Sequence, residues 1–207
     1  MVSVIIRNRN EHEFIGFAIQ SVIDHIPNAQ IIIANNNSTD SSLDVVNMFD
    51  FDISIINIDN YTPGKSLNTA VALCKHDIIL ILSAHAQITN LDIDLIEFRL
   101  KSNAAVFGNQ IPVFKGKRIK KHDIWSHFIN VDCINMFSHL ENRPFLHNAF
   151  CFYNKKDLIE TPFDESLFGK EDRWWAFDIL KKKKQYMYTP QIEVKHFYTT
   201  NGATWKI

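Results

Sequence analysis

The strongest constraint on this chain lies in its first half, where short, β-branched apolar runs at residues 2–6, 31–34, 53–58 and 78–82 alternate with stretches of helical periodicity. An apolar run without polar alternation needs cover on both faces, as a strand inside a parallel sheet does. The intervening stretches supply that cover. Residues 13–26 set Phe14, Phe17, Ala18, Ser21, Val22 and His25 at helical spacing. Residues 41–49, opened by Asp40 or Ser41 as cap, and residues 64–75 continue the pattern. A helix over 91–101 and a strand over 104–108 complete a doubly wound α/β layer.

Beyond residue 110 the pattern loosens. The spacing predicts a basic loop at 115–121 and an amphipathic helix over 125–140, carried by Trp125, Phe128, Ile129, Met136, Phe137 and Leu140. A strand at 150–153, a helix over 171–183 and two short closing strands at 186–188 and 192–194, around Pro190, follow. At 207 residues and 46% hydrophobic content the chain suits one self-supporting domain. A net charge of −1 argues against a nucleic-acid partner. The widely spaced Cys74, Cys133 and Cys151 read as free thiols of a reducing cytoplasm. The first residues run straight into a strand, so no secretory signal is expected. The longest apolar run, 78–82, falls far short of the ~20 residues that span a bilayer, so any membrane contact is expected to be peripheral.

In an open α/β sheet, ligands sit beyond the carboxyl ends of the strands. Those ends read Arg7-Asn8-Arg9-Asn10-Glu11, Asn35-Asn36-Asn37-Ser38-Thr39-Asp40, Ser83-Ala84-His85 and His196-Phe197-Tyr198, all polar and suited to line one crevice. Farther along, Gly169-Lys170-Glu171-Asp172 puts adjacent carboxylates at a helix start, where the dipole welcomes them, just ahead of Trp174 and Trp175.

Taken in order, these segments resemble the inverting nucleotide-sugar glycosyltransferases of family 2, with the GT-A fold. Residues 2–11 look like the family's opening strand and its "NE" loop, and Asn36-Asn37-Ser38-Thr39-Asp40 is similar to its "DGSTD" segment. Gly64-Lys65-Ser66-Leu67-Asn68 resembles its helix with "LN", Glu171-Asp172 its "ED" pair, and Val194-Lys195-His196 its closing strand with a histidine. Ser83-Ala84-His85 occupies the place of the "DxD" metal motif without either aspartate.

The resemblance implies a single GT-A domain with a mixed, mostly parallel central sheet. Its nucleotide-sugar half would span 1–110, and its acceptor half 111–207, closed by a lid over 197–207 that contains Trp205. It implies Asp172 as general base, with Glu171 holding a substrate hydroxyl. Arg7, Arg9, Asn10, Glu11, Asn35, Asn36, Lys65, Asn68, Ser83, Ala84 and His85 fall on the donor side; Asn148, Trp174 and Trp175 fall on the acceptor side. His85 and His196 would hold a divalent metal, Mn2+ or Mg2+, weakly or not at all, because imidazole suits transition metals better than hard cations. The implied partners are a nucleotide-sugar donor and a glycan or lipid-linked glycan acceptor. The implied setting is bacterial capsule, O-antigen or other surface-polysaccharide synthesis, in the cytoplasm or at the inner face of the plasma membrane. The lysine run 181–184 reads either as cations at a helix C-terminus or as a contact for anionic lipid. A catalytically silent sugar-nucleotide-binding subunit is the alternative that the missing aspartates favour.

Overall fold

A computed structural model describes residues 1–200 and 202. Its elements run β1 (Val2–Asn8), α1 (Ile15–His25), β2 (Gln30–Asn35), α2 (Ser42–Asn47), β3 (Ile53–Asn57), α3 (Pro63–Leu73), β4 (Ile78–Ser83), β5 (Ala86–Asn90), α4 (Ile93–Leu100), β6 (Ala105–Phe114) and β7 (Lys117–Arg118). A 3-10 turn at Asp123–His127 leads to β8 (Cys133–Ile134), β9 (Phe137–Ser138), β10 (Arg143–Pro144), β11 (Phe150–Asn154), α5 (Lys155–Glu160), α6 (Glu171–Lys181) and β12 (Tyr186–Phe197).

The central sheet is ordered β3-β2-β1-β4-β11-β6-β12-β5. Along that path β11 and β5 run against the other strands, so the sheet is mixed and mostly parallel, as the resemblance implied. The period-2 rule decides the layers. Ile5, Ile32, Ile79 and Ile81 pack on one face with Leu67 and Val71 of α3 and Trp175 and Ile179 of α6. Val4, Ile6, Ile31, Ile33, Leu80 and Leu82 pack on the other with Ala18 and Val22 of α1 and Ile96 of α4. The helix starts obey local chemistry. Thr62 caps α3 by accepting from Lys65 N at 3.2 Å, with Pro63 in the first turn, an arrangement worth about 1 kcal/mol against alanine. Asp40 serves α2 by accepting from Ser42 N at 3.0 Å.

Two expectations fail here. Residues 125–140 form no long helix: after the 3-10 turn the chain extends, and β8 pairs with β12. Trp125, Phe128 and Met136 are buried as the helical pattern required, but Ile129, Phe137 and Leu140 are exposed. Asp132 and Asn135 are poor helix formers whose side chains find other partners. Asp132 accepts from Thr189 Oγ1 at 2.7 Å and Arg99 Nη2 at 2.8 Å, and Asn135 takes a positive φ of 51°. The two closing strands are one strand, β12, whose pairing with β6 shifts register between Thr189 and Glu193; Pro190, which lacks a ladder N–H, is absorbed in that bulge. The three cysteines are free. Among the described residues no helix is long and apolar enough to cross a membrane.

Candidate active site

The carboxyl ends of β1, β2 and β4 come level because the register pairs Asn8 with Asn35 and Arg7 with Ser83. An open cleft of about 930 Å³ lies against them, lined among others by Arg7, Arg9, Glu11, Asn36, Ser83, His85, Asn148, Glu171 and Asp172. Segments far apart in sequence thus face one space.

The carboxylate pair opens α6 from Lys170, whose φ of 60° turns the chain into the helix. Both acids are buried, and each is held by an arginine and by Asn148. Arg7 Nη1 donates to Glu171 Oε1 at 2.7 Å, and Asn148 Nδ2 reaches the same oxygen at 3.3 Å. Arg173 Nη1 and the backbone N–H of Asn148 donate to Asp172 Oδ2 at 2.8 and 2.9 Å; Arg173 N donates to Oδ1 at 2.9 Å. Burial lifts the Asp172 pKa, helped by the like charge of Glu171 and opposed by Arg173 and Arg7. For Arg7, burial works against the charge, but the carboxylates of Glu171 and Asp172 outweigh it and raise its pKa. Tyr153 Oη fixes Asn148 by donating to its Oδ1 at 2.5 Å.

At the other end of the cleft, Glu11 Oε1 lies 3.3 Å from His85 Nδ1 and accepts from Thr199 Oγ1 at 3.2 Å. His196 lies behind His85, ring centroids 4.8 Å apart, fully buried, with Nδ1 2.8 Å from Gln110 Oε1. Burial and its neighbour His85 hold the His196 pKa well below the usual imidazole value; burial and Arg173 do the same to His147.

The other expected residues lie apart from this lining. Asn35 is buried in a side-chain ladder, donating to Asn57 Oδ1 at 2.8 Å and accepting from Ser38 Oγ at 2.7 Å. Asn10 ties the neighbouring turn, accepting from Thr39 N at 2.7 Å. Lys65 turns its amine to the Asp59 carbonyl at 2.7 Å. Asn68 clamps α3 to the segment before the carboxylates, donating to Phe163 O and accepting from Phe163 N at 2.9 and 3.0 Å. Ala84 is core. Trp175 is core as well, donating to Thr161 O at 2.7 Å, while half-exposed Trp174 stands edge-on to Phe177. In the lysine run, Lys181 bonds Asp178, Lys182 bonds Glu160 O, and Lys184 bonds Asp157 and Glu160, so most of that charge is spent on the protein's own groups. Asn201 and residues 203–207 of the expected lid, Trp205 included, lie outside the described residues; Tyr198 and Gly202 line the cleft.

Sequence reading missed Tyr61, Glu141, His147 and Arg173, all on the cleft wall. Arg173 was signalled by its place beside the carboxylates. His147 was hidden because β11 runs backwards and brings its amino end to this edge, where Ser83 N donates to Ala149 O at 3.1 Å.

A resident divalent ion needs several convergent donors. The 83–85 position offers a hydroxyl and one imidazole already facing Glu11, and the second imidazole is sealed in the core. No three His, Cys, Asp or Glu side chains converge to hold a metal among the described residues. The residues present do not fit a protein-built metal site.

Three solved structures share this fold. TarS 1-349 of S. aureus in complex with UDP is 14% identical, with a TM-score of 0.73 over 96% of this chain and 60% of that one. GalNAc-T7 with UDP, GalNAc and Mn2+ is 14% identical, with a TM-score of 0.73 over 98% and 44%. The mannosyltransferase PcManGT from Pyrobaculum calidifontis, in complex with GDP-Man and Mn2+, is 16% identical, with a TM-score of 0.70 over 97% and 58%. The chain therefore spans less than two thirds of each of these chains. No curated protein matches it in sequence. The model of the family described as Glycosyl transferase family 2 matches residues 3–161, ending ahead of Glu171-Asp172. Most of the sheet and the cleft lining from Arg7 to Asn148 fall inside that match, and the chain belongs to glycosyl transferase family 2.

Proposed function

We propose that this chain is an inverting glycosyltransferase that moves a sugar from a nucleoside diphosphate to a hydroxyl of a glycan acceptor. The observation that carries the reading is the buried Glu171-Asp172 pair, which lines one cleft together with the strand-end residues Arg7, Arg9 and His85. In a single displacement the acceptor oxygen bonds to the anomeric carbon as the carbon–oxygen bond to the diphosphate breaks, and the electron pair leaves with the phosphate. The hydroxyl proton goes to Asp172. Its Oδ1 accepts one N–H, from Arg173, which leaves a lone pair for that proton. A base so placed is worth about 10²–10⁴ in rate.

Arg7 and Arg9 supply fixed positive charge for the leaving diphosphate in place of the missing aspartate-bound ion. One Arg7 donor is committed to Glu171, so the pair sets where the guanidinium points. Asn36, on the lining, offers an amide that both donates and accepts to a base edge.

The test is a thermal-shift panel of UDP-, GDP- and dTDP-sugars, with Mn2+ or with chelator, followed by donor hydrolysis by wild type and Asp172→Asn. One donor at about 100-fold its Kd adds ~2.7 kcal/mol of stability, and the shift persists in chelator. Asp172→Asn keeps the shift and loses turnover by about 10²-fold or more. Equal background turnover in both proteins would mean a silent sugar-nucleotide-binding subunit instead.

A further inference from the structure

Residues 115–121 hold Lys115, Lys117, Arg118, Lys120 and Lys121 without a single acid, in a chain whose overall charge is −1. This is a built hairpin. β7 folds back on β6, pairing Val113 with Arg118 and Phe114 with Lys117, and Lys115 and Gly116 at its tip take positive φ values of 49° and 73°. Two successive positive φ values make the tight turn whose twist suits a hairpin. Ile119 N donates to Pro112 O at 3.0 Å, and Lys121 Nζ is drawn inward to Asn109 Oδ1 at 2.8 Å, which pins the far end. Lys115, Lys117, Arg118 and Lys120 are left exposed, and none of them forms an ion pair among the described residues. In the 181–184 run, by contrast, Lys181 and Lys184 neutralise the fold's own carboxylates.

The hairpin also borders the cleft. Phe114, Ile119 and His122 line it together with Asp172, and Tyr198 meets Phe114 edge-on at 5.0 Å. Unpaired cations fixed at the rim of a cleft concentrate an anion there. In the transfer reading above, Arg7 and Arg9 serve the donor's diphosphate at the strand ends, which leaves this second cationic group for a different ligand.

We propose that the hairpin at residues 114–120 binds phosphate or carboxylate groups on the acceptor, so that the acceptor of this transferase is an anionic glycan. The assignment of an acceptor rests on the transfer reading above; the binding of anionic glycan does not.

Dextran, phosphorylated dextran and carboxymethyl-dextran of equal length serve as probes, with binding read by fluorescence anisotropy at low salt. Three full-length proteins are compared: wild type, Lys117→Ala/Arg118→Ala/Lys120→Ala, and a charge-matched control, Lys75→Ala/Lys101→Ala/Lys156→Ala. All six positions are exposed, so unchanged melting temperatures show that each protein is folded. Wild type is expected to bind a charged dextran and not the neutral one, and the two charged probes tell phosphate from carboxylate. The hairpin variant should bind about tenfold more weakly, with a shallower salt dependence, while the control matches wild type. Equal weakening in the control, or no weakening in the hairpin variant, overturns the proposal. Loss of UDP and GDP binding in the hairpin variant would reassign the cations to the donor, also overturning it. So would hairpin-dependent binding to phosphatidylglycerol vesicles without binding to either charged dextran. If wild type binds charged dextran but no nucleotide sugar, the transfer reading fails while the glycan-binding hairpin stands.

Discussion

Arg7 Nη1 sits 2.7 Å from Glu171 Oε1, joining the end of the first strand to the start of a helix 164 residues later. The Glu171 side chain is buried and that of Arg7 mostly so, and removing the cation leaves a buried carboxylate without its opposite charge. Arg7→Met is expected to cost about 3 kcal/mol in urea unfolding, the low end for a broken buried pair. Arg7→Met/Glu171→Leu should recover part of that loss, because no orphaned charge remains. Both proteins should lose donor binding, since both lack the guanidinium that lines the cleft.

Gly64 lies where helix α3 touches the chain ahead of the carboxylates. A Cβ there would press on the Asp164 carbonyl, whose carbon would be only 2.8 Å away, and Asn68 locks the same segment from one turn farther along. Backbone cannot yield as a side-chain tip does, so Gly64→Ala should cost about 1–3 kcal/mol. Because the displaced segment leads into Glu171-Asp172, turnover should fall more than the stability loss alone explains. Urea unfolding and single-turnover rates on the same protein check both parts.

How much of this was legible in the sequence follows from which physical rule governs each part. The parallel strands and their helices were readable because both sheet faces are buried, which leaves uninterrupted apolar runs such as 78–82. The carboxylates were readable because a helix N-terminus fixes where acids belong. Strand direction was not readable. Without knowing that β11 reverses, His147 belongs to the wrong end of a strand, and its neighbour Asn148, which holds both carboxylates, was reached only through the family resemblance. The 125–140 segment misled because its buried aromatics fall at helical spacing by accident of where an extended arm crosses the core. The roles expected for Asn35, Asn68 and Lys65 illustrate another limit: a polar residue near a site is as often bonded to the scaffold as aimed at a ligand.

The buried imidazoles make acid stability predictable. His147 and His196 both have pKa values held well below the ordinary imidazole value, chiefly by burial, so they stay neutral in the fold. Between the folded and unfolded pKa values the unfolded chain binds more protons, and stability therefore rises with pH through that window. The melting temperature should fall as pH drops below about 6.5, the ordinary imidazole value. His196→Asn should flatten that fall while lowering stability at pH 8, where neither imidazole is charged. Calorimetric scans across the acid range test it.

Asp172 supplies the sharpest test of the chemistry. Only its ionised form accepts a proton, so kcat/KM should fall as pH drops through its pKa, which burial and Glu171 raise above the ordinary aspartate value. The two neighbours pull that limb in opposite directions. Glu171→Gln removes the like charge and should move the acid limb to lower pH. Arg173→Gln removes the opposing charge and should move it to higher pH, with a loss of stability, because Arg173 also donates to Leu146 O at 2.8 Å. Opposite displacements, with turnover lost at every pH in Asp172→Asn, identify residue 172 as the titrating base. A limb that stays put in both variants would assign the proton transfer to some other group.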